Sequence, residues 1–542
     1  MPVSFTLDGR PVEVDREDIT LLEALREHLG VRSVKDGCSP QGQCGCCTVV
    51  IDGAARVSCV TPVRRAAGRD VRTVDGLDPG RRRDLVDAFV ARGASQCGFC
   101  TPGILCRLAA LPPGASAPQV ENALLAHLCR CTGWRSIVDA ATGNGAAPAT
   151  GPLADARASL EGGISQRTGP DPAQGRGGFA DDTAPAGCLV AVPAADGRGW
   201  AVGATLADAR AAAGKVQGRR SGQELTYPVE VPPGEWDLTL QTTWVEPAYL
   251  EPDSSWCEPG GTPASPAGNG GDFGAKRTSP APAAARRLAD EYGRPVRVVL
   301  AREDTVRMGA KRPPVGVGVR ADGTGLIRLA SCTVAAPGDA PGDAPGDARP
   351  ASGDALLAAA VAAVAPGLAV EHVPVPGPAV SPHLRAAGAA EAAVVTAAAA
   401  AAASGRTAAT VTSPDGARAR AEVAVDATGW PAGVAVEVYA GDPLDEVVLR
   451  SYVEGAAHMA LGWVCNEGIA LDPDGVPTDL TIRSFGVLRA RDTPPVAVTV
   501  QPARPGDGPK RASDAVFAAV AAATWLAQGL PSRWPTRRGT RR

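Results

Sequence analysis

Apolar and polar residues follow two different periods in the first 140 residues. Alternation with a period of two, typical of half-buried strands, surrounds the turns Asp8-Gly9 and Asp52-Gly53 and predicts two β-hairpins. Between them, residues 20–29 have the 3.6-residue period of an amphipathic helix, and Asp18 precedes them as the expected cap. A hairpin, a helix, a loop and a second hairpin predict a β-grasp domain over residues 1–76.

Helical periods then dominate. They occur in four short segments, which predict a four-helix domain over residues 77–142: 84–92, 103–111, 118–128 and 136–141. A Gly/Ala/Pro-rich linker is expected at 143–158, a low-complexity loop with three APGD repeats at 336–350, and a basic tail at 531–542. Helices are also expected in the Ala-rich tract 392–403 and at 515–526.

Length and charge narrow the class of protein. A chain of 542 residues is too long for one core and predicts several domains. The net charge is −4, and no basic run is interleaved with aromatic residues, so we expect neither nucleic acid nor a membrane surface as a partner. No basic and apolar leader and no run of about 18 apolar residues is evident, which favours a cytoplasmic protein.

Cysteines crowd the predicted N-terminal domains. Ten of the fourteen lie before residue 132: Cys38, Cys44, Cys46, Cys47, Cys59, Cys97, Cys100, Cys106, Cys129 and Cys131. Without an export signal, such crowding favours metal or cluster ligation over disulfides, because a reducing cytosol keeps thiols reduced.

The first cysteines have the spacing of a [2Fe-2S] loop. A plant-type ferredoxin loop has gaps of four and two residues before a distant fourth ligand. Here the first gap holds one extra residue, which we interpret as Pro40, and the spacing assigns four ligands: Cys38, Cys44, Cys47 and Cys59. Cys46 is then a spare small residue. Zinc is the alternative, although zinc knuckles use paired two-residue spacings.

A second set of cysteines lies at the ends of the predicted helices. It consists of QCGFCTPG, at residues 96–103, and LCRCTG, at residues 128–133. Helix N-termini direct partial positive charge and free N–H groups toward an anionic cluster. A single CxxC is also compatible with a redox dithiol or half a zinc site, but its pairing with CRC after a complete ferredoxin loop favours a second cluster.

Four motifs together resemble the iron–sulfur portion of one enzyme family, the xanthine dehydrogenase/aldehyde oxidase family of molybdenum hydroxylases: CSPQGQCGCCTV, SCVTP, QCGFCTPG and CRCTGW. The resemblance covers residues 1 to about 142. It implies that Gln96 contacts the pterin cofactor and that the first cluster lies nearer FAD. It also implies that the second cluster, nearer molybdopterin, is held by Cys97, Cys100, Cys129 and Cys131.

Fainter resemblances follow in the same order along the chain. They imply a shortened α/β molybdopterin-binding-like region in two parts, 159–335 and 351–530, and hence an α+β multidomain fold. The turn GGDFGAK offers Gly270, Gly271, Phe273 and Gly274 for close approach of a pterin or phosphate, although a plain tight turn is the alternative. Arg385 resembles the family's arginine at the substrate pocket, but an isolated arginine is usually solvated.

The C-terminal half also departs from the family. The family's molybdenum portion is nearly twice as long as the corresponding region of this chain, and several of its connecting segments are missing here. Where the family places a catalytic glutamate after a Lys-Gly-x-Gly turn, residues 508–515 read GPKRASDA. Asp514 is the nearest carboxylate, and capping of the following helix is its expected role rather than general base.

Two hypotheses of different class follow. In the first, the chain is the iron–sulfur electron-transfer component of a xanthine dehydrogenase-like enzyme, with a molybdenum subunit and a flavin subunit encoded elsewhere. In the second, it is a compact molybdenum–molybdopterin hydroxylase of aldehydes or N-heterocycles with an altered active site. No FAD-binding segment is recognisable in the sequence, so both hypotheses place FAD on a partner subunit.

Overall fold

The fold is described from a computed structural model covering residues 2–143, 150–197, 199–214, 216, 224–332 and 352–538. The strands in this part of the chain are β1 (Val3–Leu7), β2 (Arg10–Val14), β3 (Thr48–Ile51), β4 (Ala54–Val57), β5 (Asp70–Arg72), β6 (Leu189–Pro193), β7 (Trp200–Gly203), β8 (Leu238–Thr242), β9 (Ser254–Cys257), β10 (Val296–Val299), β11 (Val315–Val319), β12 (Gly325–Ala330), β13 (Leu368–Val373), β14 (Ala409–Thr412), β15 (Arg418–Val425), β16 (Pro431–Tyr439), β17 (Val496–Val500) and β18 (Arg533–Trp534).

The α-helices of the same residues are α1 (Leu21–Glu23), α2 (Pro79–Ala91), α3 (Thr101–Ala109), α4 (Ala117–Ala123), α5 (Arg135–Thr142), α6 (Ala154–Gly162), α7 (Pro170–Ala173), α8 (Ala180–Thr183), α9 (Leu206–Ala213), α10 (Ala281–Tyr292), α11 (Arg302–Met308), α12 (Gly353–Val364), α13 (Ala389–Ala403), α14 (Glu446–Cys465) and α15 (Ser513–Ala527). None of them is both long enough and apolar enough to cross a membrane.

The N-terminal sheet is a β-grasp. Its strand order is β2-β1-β5-β3-β4, in which β1 and β5 are parallel and both hairpins are antiparallel. Phe5 and Val71 point into the core together with Leu25 of the crossing helix. This helix begins as α1 and continues as a π-helix over Ala24–His28. The loop between this helix and β3 lies outside the sheet and carries Cys38, Cys44 and Cys47.

The four predicted helices of the next domain are present as α2, α3, α4 and α5. Phe89 of α2, Ile104 of α3 and Ile137 of α5 are completely buried and form their common core. α3 begins immediately after Cys100, and α5 begins four residues after Cys131. The helix starts therefore bring both halves of the second cysteine set to the same end of the bundle.

Three further sheets follow in the C-terminal region. Their strand orders are β7-β6-β10-β9, β13-β12-β11-β8-β18 and β14-β15-β16-β17. α14 and α15 cross the last sheet, and their buried faces consist mostly of Ala, Val, Gly and Leu. Because small side chains fill this interface, the two helices approach each other closely over most of their length.

Three local predictions need correction. The cap of the first helix is Thr20, whose hydroxyl accepts from the Glu23 N–H, whereas Asp18 is engaged by Arg16. The expected linker at 143–158 gives way to α6 at Ala154, because buried Ala154 and Ala158 pack against α14. The basic tail contains β18, which joins the sheet beside β8 and buries Trp534. The APGD loop lies outside the described residues.

Candidate functional site

The first thiol group consists of Cys38, Cys44, Cys47 and Cys59. All four are almost fully buried, three in the loop before β3 and Cys59 in a 3₁₀ turn after β4. The Cys38 sulfur accepts hydrogen bonds from the thiols of Cys44 and Cys59, and the Cys59 thiol also lies against that of Cys47. These bonds, with that from Cys44 the largest, lower the pKa of Cys38 well below its usual range.

The second thiol group consists of Cys97, Cys100, Cys129 and Cys131. Its members are also buried and lie in two pairs, Cys97 with Cys131 and Cys100 with Cys129. The hydrogen bond with Cys100 lowers the pKa of Cys129 to about 6. Cys100 occupies the N-cap of α3, and its hydrogen bond with Cys129, together with burial, raises the pKa of its thiol well above the usual range.

Pairing of the thiols is the geometry that a two-iron cluster needs. A tetrahedral metal with sulfur bonds of about 2.3 Å holds two thiolates about 3.8 Å apart. The Sγ atoms of Cys97 and Cys131 are 3.7 Å apart. The second group has this pair and the pair of Cys100 with Cys129, and the first group brings four thiols together, so each group offers two thiols for each iron of a [2Fe-2S] cluster. The residues present therefore fit two [2Fe-2S] clusters.

The two groups are joined through the backbone. The Leu128 N–H, one residue before Cys129, donates to the Cys44 carbonyl at 2.9 Å. Beside this bond, His127 Nε2 lies 3.1 Å from Thr48 Oγ1. The hydrogen bond from Leu128 therefore connects the backbone beside Cys129, in the second thiol group, to the backbone of Cys44, in the first.

The glycine-rich turn lies against the second thiol group. Gly271 has φ +81°, and a side chain there would meet Cys97 Cβ at 2.9 Å and Cys131 Sγ at 3.2 Å. The lysine that follows, Lys276, is buried and bonded to Glu251 at 2.7 Å. The close approach made possible by glycine is thus toward the thiols, and the lysine charge is already paired.

An apolar cleft of about 650 Å³ lies beyond the turn. Aromatic side chains form one wall, where Trp463 and Phe517 stack with ring centres 5.2 Å apart. Three arginines reach the cleft, and each is paired with a carboxylate: Arg130 with Glu467, Arg312 with Glu391, and Arg385 with Asp514.

Arg130 connects the cleft to the second thiol group. It lies between Cys129 and Cys131 in sequence, and its guanidinium donates to both oxygens of buried Glu467 at 2.5 and 2.7 Å. Its Nε donates to the Pro247 carbonyl. Nothing near Glu467 in the sequence indicates this partner, because it is 337 residues away.

Asp514 does not cap α15, so that prediction is wrong. The Glu161 carboxylate of α6 accepts from the N–H groups of Ala512 and Ser513 and takes the capping role. Asp514 instead accepts from Arg385 Nε at 2.6 Å, and Ser513 Oγ accepts from Arg385 Nη2 at 2.6 Å. The two candidate residues for substrate chemistry are therefore bonded to each other.

The remaining candidates surround the second thiol group and the cleft. The Gln96 amide nitrogen donates to the Cys131 carbonyl and to Ser451, so it braces the CRC segment. Gly270 and Gly274 also have positive φ, near +75° and +80°. Phe273, with φ +53°, lines the cleft, and its carbonyl accepts from the Arg385 N–H. Their assignment to a cofactor stays a prediction.

A β-grasp and a four-helix domain with paired buried thiols define a two-cluster iron–sulfur oxidoreductase. Matches to family models agree: residues 5–69 match "2Fe-2S iron-sulfur cluster binding domain" and residues 73–142 match "[2Fe-2S] binding domain". The chain belongs to the xanthine dehydrogenase/aldehyde oxidase family of molybdenum hydroxylases, as its relatives show.

Two relatives match the N-terminal quarter of this chain. Isoquinoline 1-oxidoreductase subunit alpha of Brevundimonas diminuta is 41% identical over 140 residues, 25% of this chain and 91% of the relative. The xanthine dehydrogenase iron-sulfur-binding subunit of Escherichia coli O157:H7 is 38% identical over 143 residues, 25% and 89% of the two chains. The N-terminal quarter thus corresponds to nearly all of each relative.

A solved structure matches nearly the whole chain. Aldehyde oxidoreductase from Desulfovibrio gigas aligns over 99% of both chains with a TM-score of 0.69 and 15% identity. At this identity the match shows the fold alone. It confirms the predicted α+β multidomain fold, including that of the C-terminal region.

Family membership implies a molybdenum–molybdopterin centre and FAD on a partner. Molybdopterin is anionic through its phosphate and dithiolene, so a site for it offers backbone N–H groups or cations that are free to bind it. The three arginines of the cleft and Lys276 beside Gly271 are instead each bonded to a carboxylate. In the described part of the chain, these four cations therefore offer no unpaired charge to the anionic cofactor.

Proposed function

We propose that the first and second thiol groups each ligate one [2Fe-2S] cluster and that the chain relays electrons through them. The observation that carries the proposal is the arrangement of eight buried thiols in two groups of four, joined by the hydrogen bond from Leu128 to Cys44. The chain is accordingly an iron–sulfur electron-transfer component of a xanthine dehydrogenase-like oxidoreductase.

The residues around the clusters support a directed relay. Each bound cluster accepts and releases one electron at a time. Arg130 and Gln96 hold the CRC segment against the cleft side of the molecule. Leu128 links that segment to the loop of Cys44, and burial of all eight thiols excludes water from the path. The family resemblance, which puts the second cluster nearer molybdopterin and the first nearer FAD, gives the direction: electrons would enter at the second thiol group and leave at the first.

The partners are inferred from the family. We place FAD on a separate subunit next to the first thiol group and a full molybdenum subunit next to the second. The substrate oxidised by that assembly is an aldehyde or an N-heterocycle, the latter by analogy with the isoquinoline 1-oxidoreductase relative. We also place the assembly in the cytoplasm, where free thiols stay reduced.

A second candidate is a self-contained molybdenum hydroxylase. The full-length fold similarity to an aldehyde oxidoreductase favours it. Against it, Asp514 is bonded to Arg385 and the cations of the cleft are paired. Both candidates share the two-cluster relay and differ only in whether this chain binds molybdenum.

Metal analysis and electron paramagnetic resonance of the purified full-length chain test the proposal. We expect about four irons per chain and two reduced-cluster signals. Cys131→Ala should lose one cluster, whereas Cys465→Ala, which removes a buried cysteine of α14 that belongs to neither group, should keep both. Zinc in place of iron would contradict the proposal. Stoichiometric molybdenum in the chain alone would favour the second candidate.

A further inference from the structure

One sulfur of the second thiol group has a hydroxyl partner from outside that group. Thr132 Oγ1 lies 3.2 Å from Cys129 Sγ, and both residues are at most 2% exposed. In the first thiol group, by contrast, the Cys38 sulfur accepts from the backbone N–H groups of Gln41 and Gln43. The contact of Thr132 comes from a side chain, so a substitution can remove it without changing the backbone.

Cluster ligation decides which atom of this pair carries the hydrogen. A hydroxyl and a free thiol can each donate, but a cysteine binds iron as the thiolate, which has no proton left. With Cys129 as a ligand, the Thr132 hydroxyl is therefore the donor and Cys129 Sγ is the acceptor. Because both residues are buried, water does not compete for either atom, and the low local dielectric strengthens the bond.

Distant segments hold the backbone on both sides of Thr132. Before it, the Cys131 carbonyl accepts from the Gln96 amide nitrogen at 3.1 Å. After it, a Cβ on Gly133 would clash with the Glu454 carbonyl oxygen, so the backbone of α14 packs directly on this glycine. The threonine side chain is also stiff about its single rotatable bond to the hydroxyl carbon, because its Cβ is branched. The hydroxyl is thus held beside the sulfur.

We propose that Thr132 is a positioning residue that donates a hydrogen bond to the Cys129 sulfur and thereby raises the reduction potential of the second cluster. This inference rests on the proposed function, in which Cys129 is a ligand. One-electron reduction adds negative charge to the cluster and its sulfurs, and a hydrogen bond to a sulfur stabilises that charge. The electron stays on the irons, and the hydroxyl keeps its proton throughout.

Stepwise reduction with dithionite, followed by electron paramagnetic resonance, tests the inference on the full-length chain with both clusters. The signal that is lost in Cys131→Ala identifies the second cluster. Thr132→Val keeps the branched shape and removes the hydroxyl. In this variant we expect the electron-sharing equilibrium between the clusters to move about tenfold away from the second cluster, which for a one-electron couple equals about 59 mV. Thr132→Ser keeps the donor and should stay close to the wild type.

Thr101→Val is the matched control. Thr101 is also 2% exposed and directly follows Cys100, another member of the second thiol group. Its hydroxyl, however, is bonded to the Ser95 hydroxyl at 3.0 Å and not to a sulfur. The same substitution at this position should therefore leave both cluster potentials unchanged.

Four results would overturn the inference. The first is a second-cluster potential in Thr132→Val equal to that of the wild type. The second is an equal shift in Thr101→Val, which would indicate a general packing effect. The third is a shift in Thr132→Ser as large as that in Thr132→Val. The fourth is loss of two irons in both Thr132→Val and Thr132→Ala, which would make Thr132 necessary for cluster assembly instead. Failure of the proposed function itself would appear differently, as a wild-type chain without two clusters.

Discussion

At the scale of single residues, ion pairs between side chains far apart in sequence decide the chemistry of the cleft. The sequence singles out Arg385 by its resemblance to the family's substrate-pocket arginine, but only the fold brings it to Asp514. Arg130 is likewise predictable as part of a cluster motif but not as the partner of Glu467. A buried ion pair of this kind is costly to break, because the remaining charge is left without a partner. The three arginines of the cleft are therefore each neutralised by a carboxylate of the cleft.

His458 provides a pH test at the same scale. It is buried in α14, and its Nε2 lies 3.1 Å from the Leu488 carbonyl. Burial, helped by Arg130, lowers its pKa to about 3. The unfolded chain protonates this histidine near pH 6.5. Between about pH 6.5 and 3 the unfolded state thus binds more protons, so the free energy of unfolding should fall as pH falls.

Urea denaturation at several pH values measures this effect as a difference between variants. The wild type should lose more stability between pH 7 and pH 5 than His458→Gln, which cannot be protonated. Glu454 on the same helix has a pKa raised to about 7 by burial and titrates in the opposite sense, so the variant difference is the informative quantity. His28→Gln, at an exposed position, should follow the wild type. Parallel profiles for wild type and His458→Gln would refute the prediction.

Helix starts and tight loops control the thiol groups at the scale of elements. α3 places Cys100 at its N-terminus and Gly103 against the loop that carries Cys46. The period of the apolar residues predicts this helix, and the spacing of the cysteines predicts the loop. The sequence does not predict the contact between α3 and this loop, because the contact depends on the absence of a side chain at Gly103.

Gly103→Ala tests that contact. The new Cβ would clash with the carbonyl oxygens of Gly45 and Cys46, which are backbone atoms and cannot rotate away. We expect fewer irons per chain and a lower urea midpoint. Gly80→Ala in α2 is the matched control, because its Cβ would meet only Asp78 at 3.3 Å and alanine is the better helix former. Equal iron content in the two variants would show that the contact is dispensable.

A network of buried charges holds the N-terminal domains to the following region at the scale of the molecule. Arg297 of β10 donates to Glu27 at 2.6 Å and to Asp181 at 3.1 Å. Arg26 also bonds to Asp181, and Lys35 bonds to Asp182. These contacts connect the helix beside the first thiol group to α8 and β10.

Arg297→Met tests the network. The change removes a buried guanidinium from two partly buried carboxylates, Glu27 and Asp181, and should cost about 1–3 kcal/mol. We expect limited proteolysis to release the N-terminal domains faster from this variant, with its midpoint in urea lowered. Arg294→Met, at an exposed position on the same edge, is the control and should change stability by less than about 0.5 kcal/mol. Unchanged proteolysis of Arg297→Met would contradict the role assigned to the network.

The sequence by itself determined the two N-terminal folds and the cysteines proposed to hold the clusters, because hydrophobic period and ligand spacing are local properties of the chain. It also indicated the order of the C-terminal segments. The tertiary structure alone decided that Glu161 caps α15, that Asp514 is held by Arg385, and that Gly103 of α3 packs on the backbone of Cys46. Such contacts join residues far apart in sequence, and no local pattern records which partner a buried polar group finds.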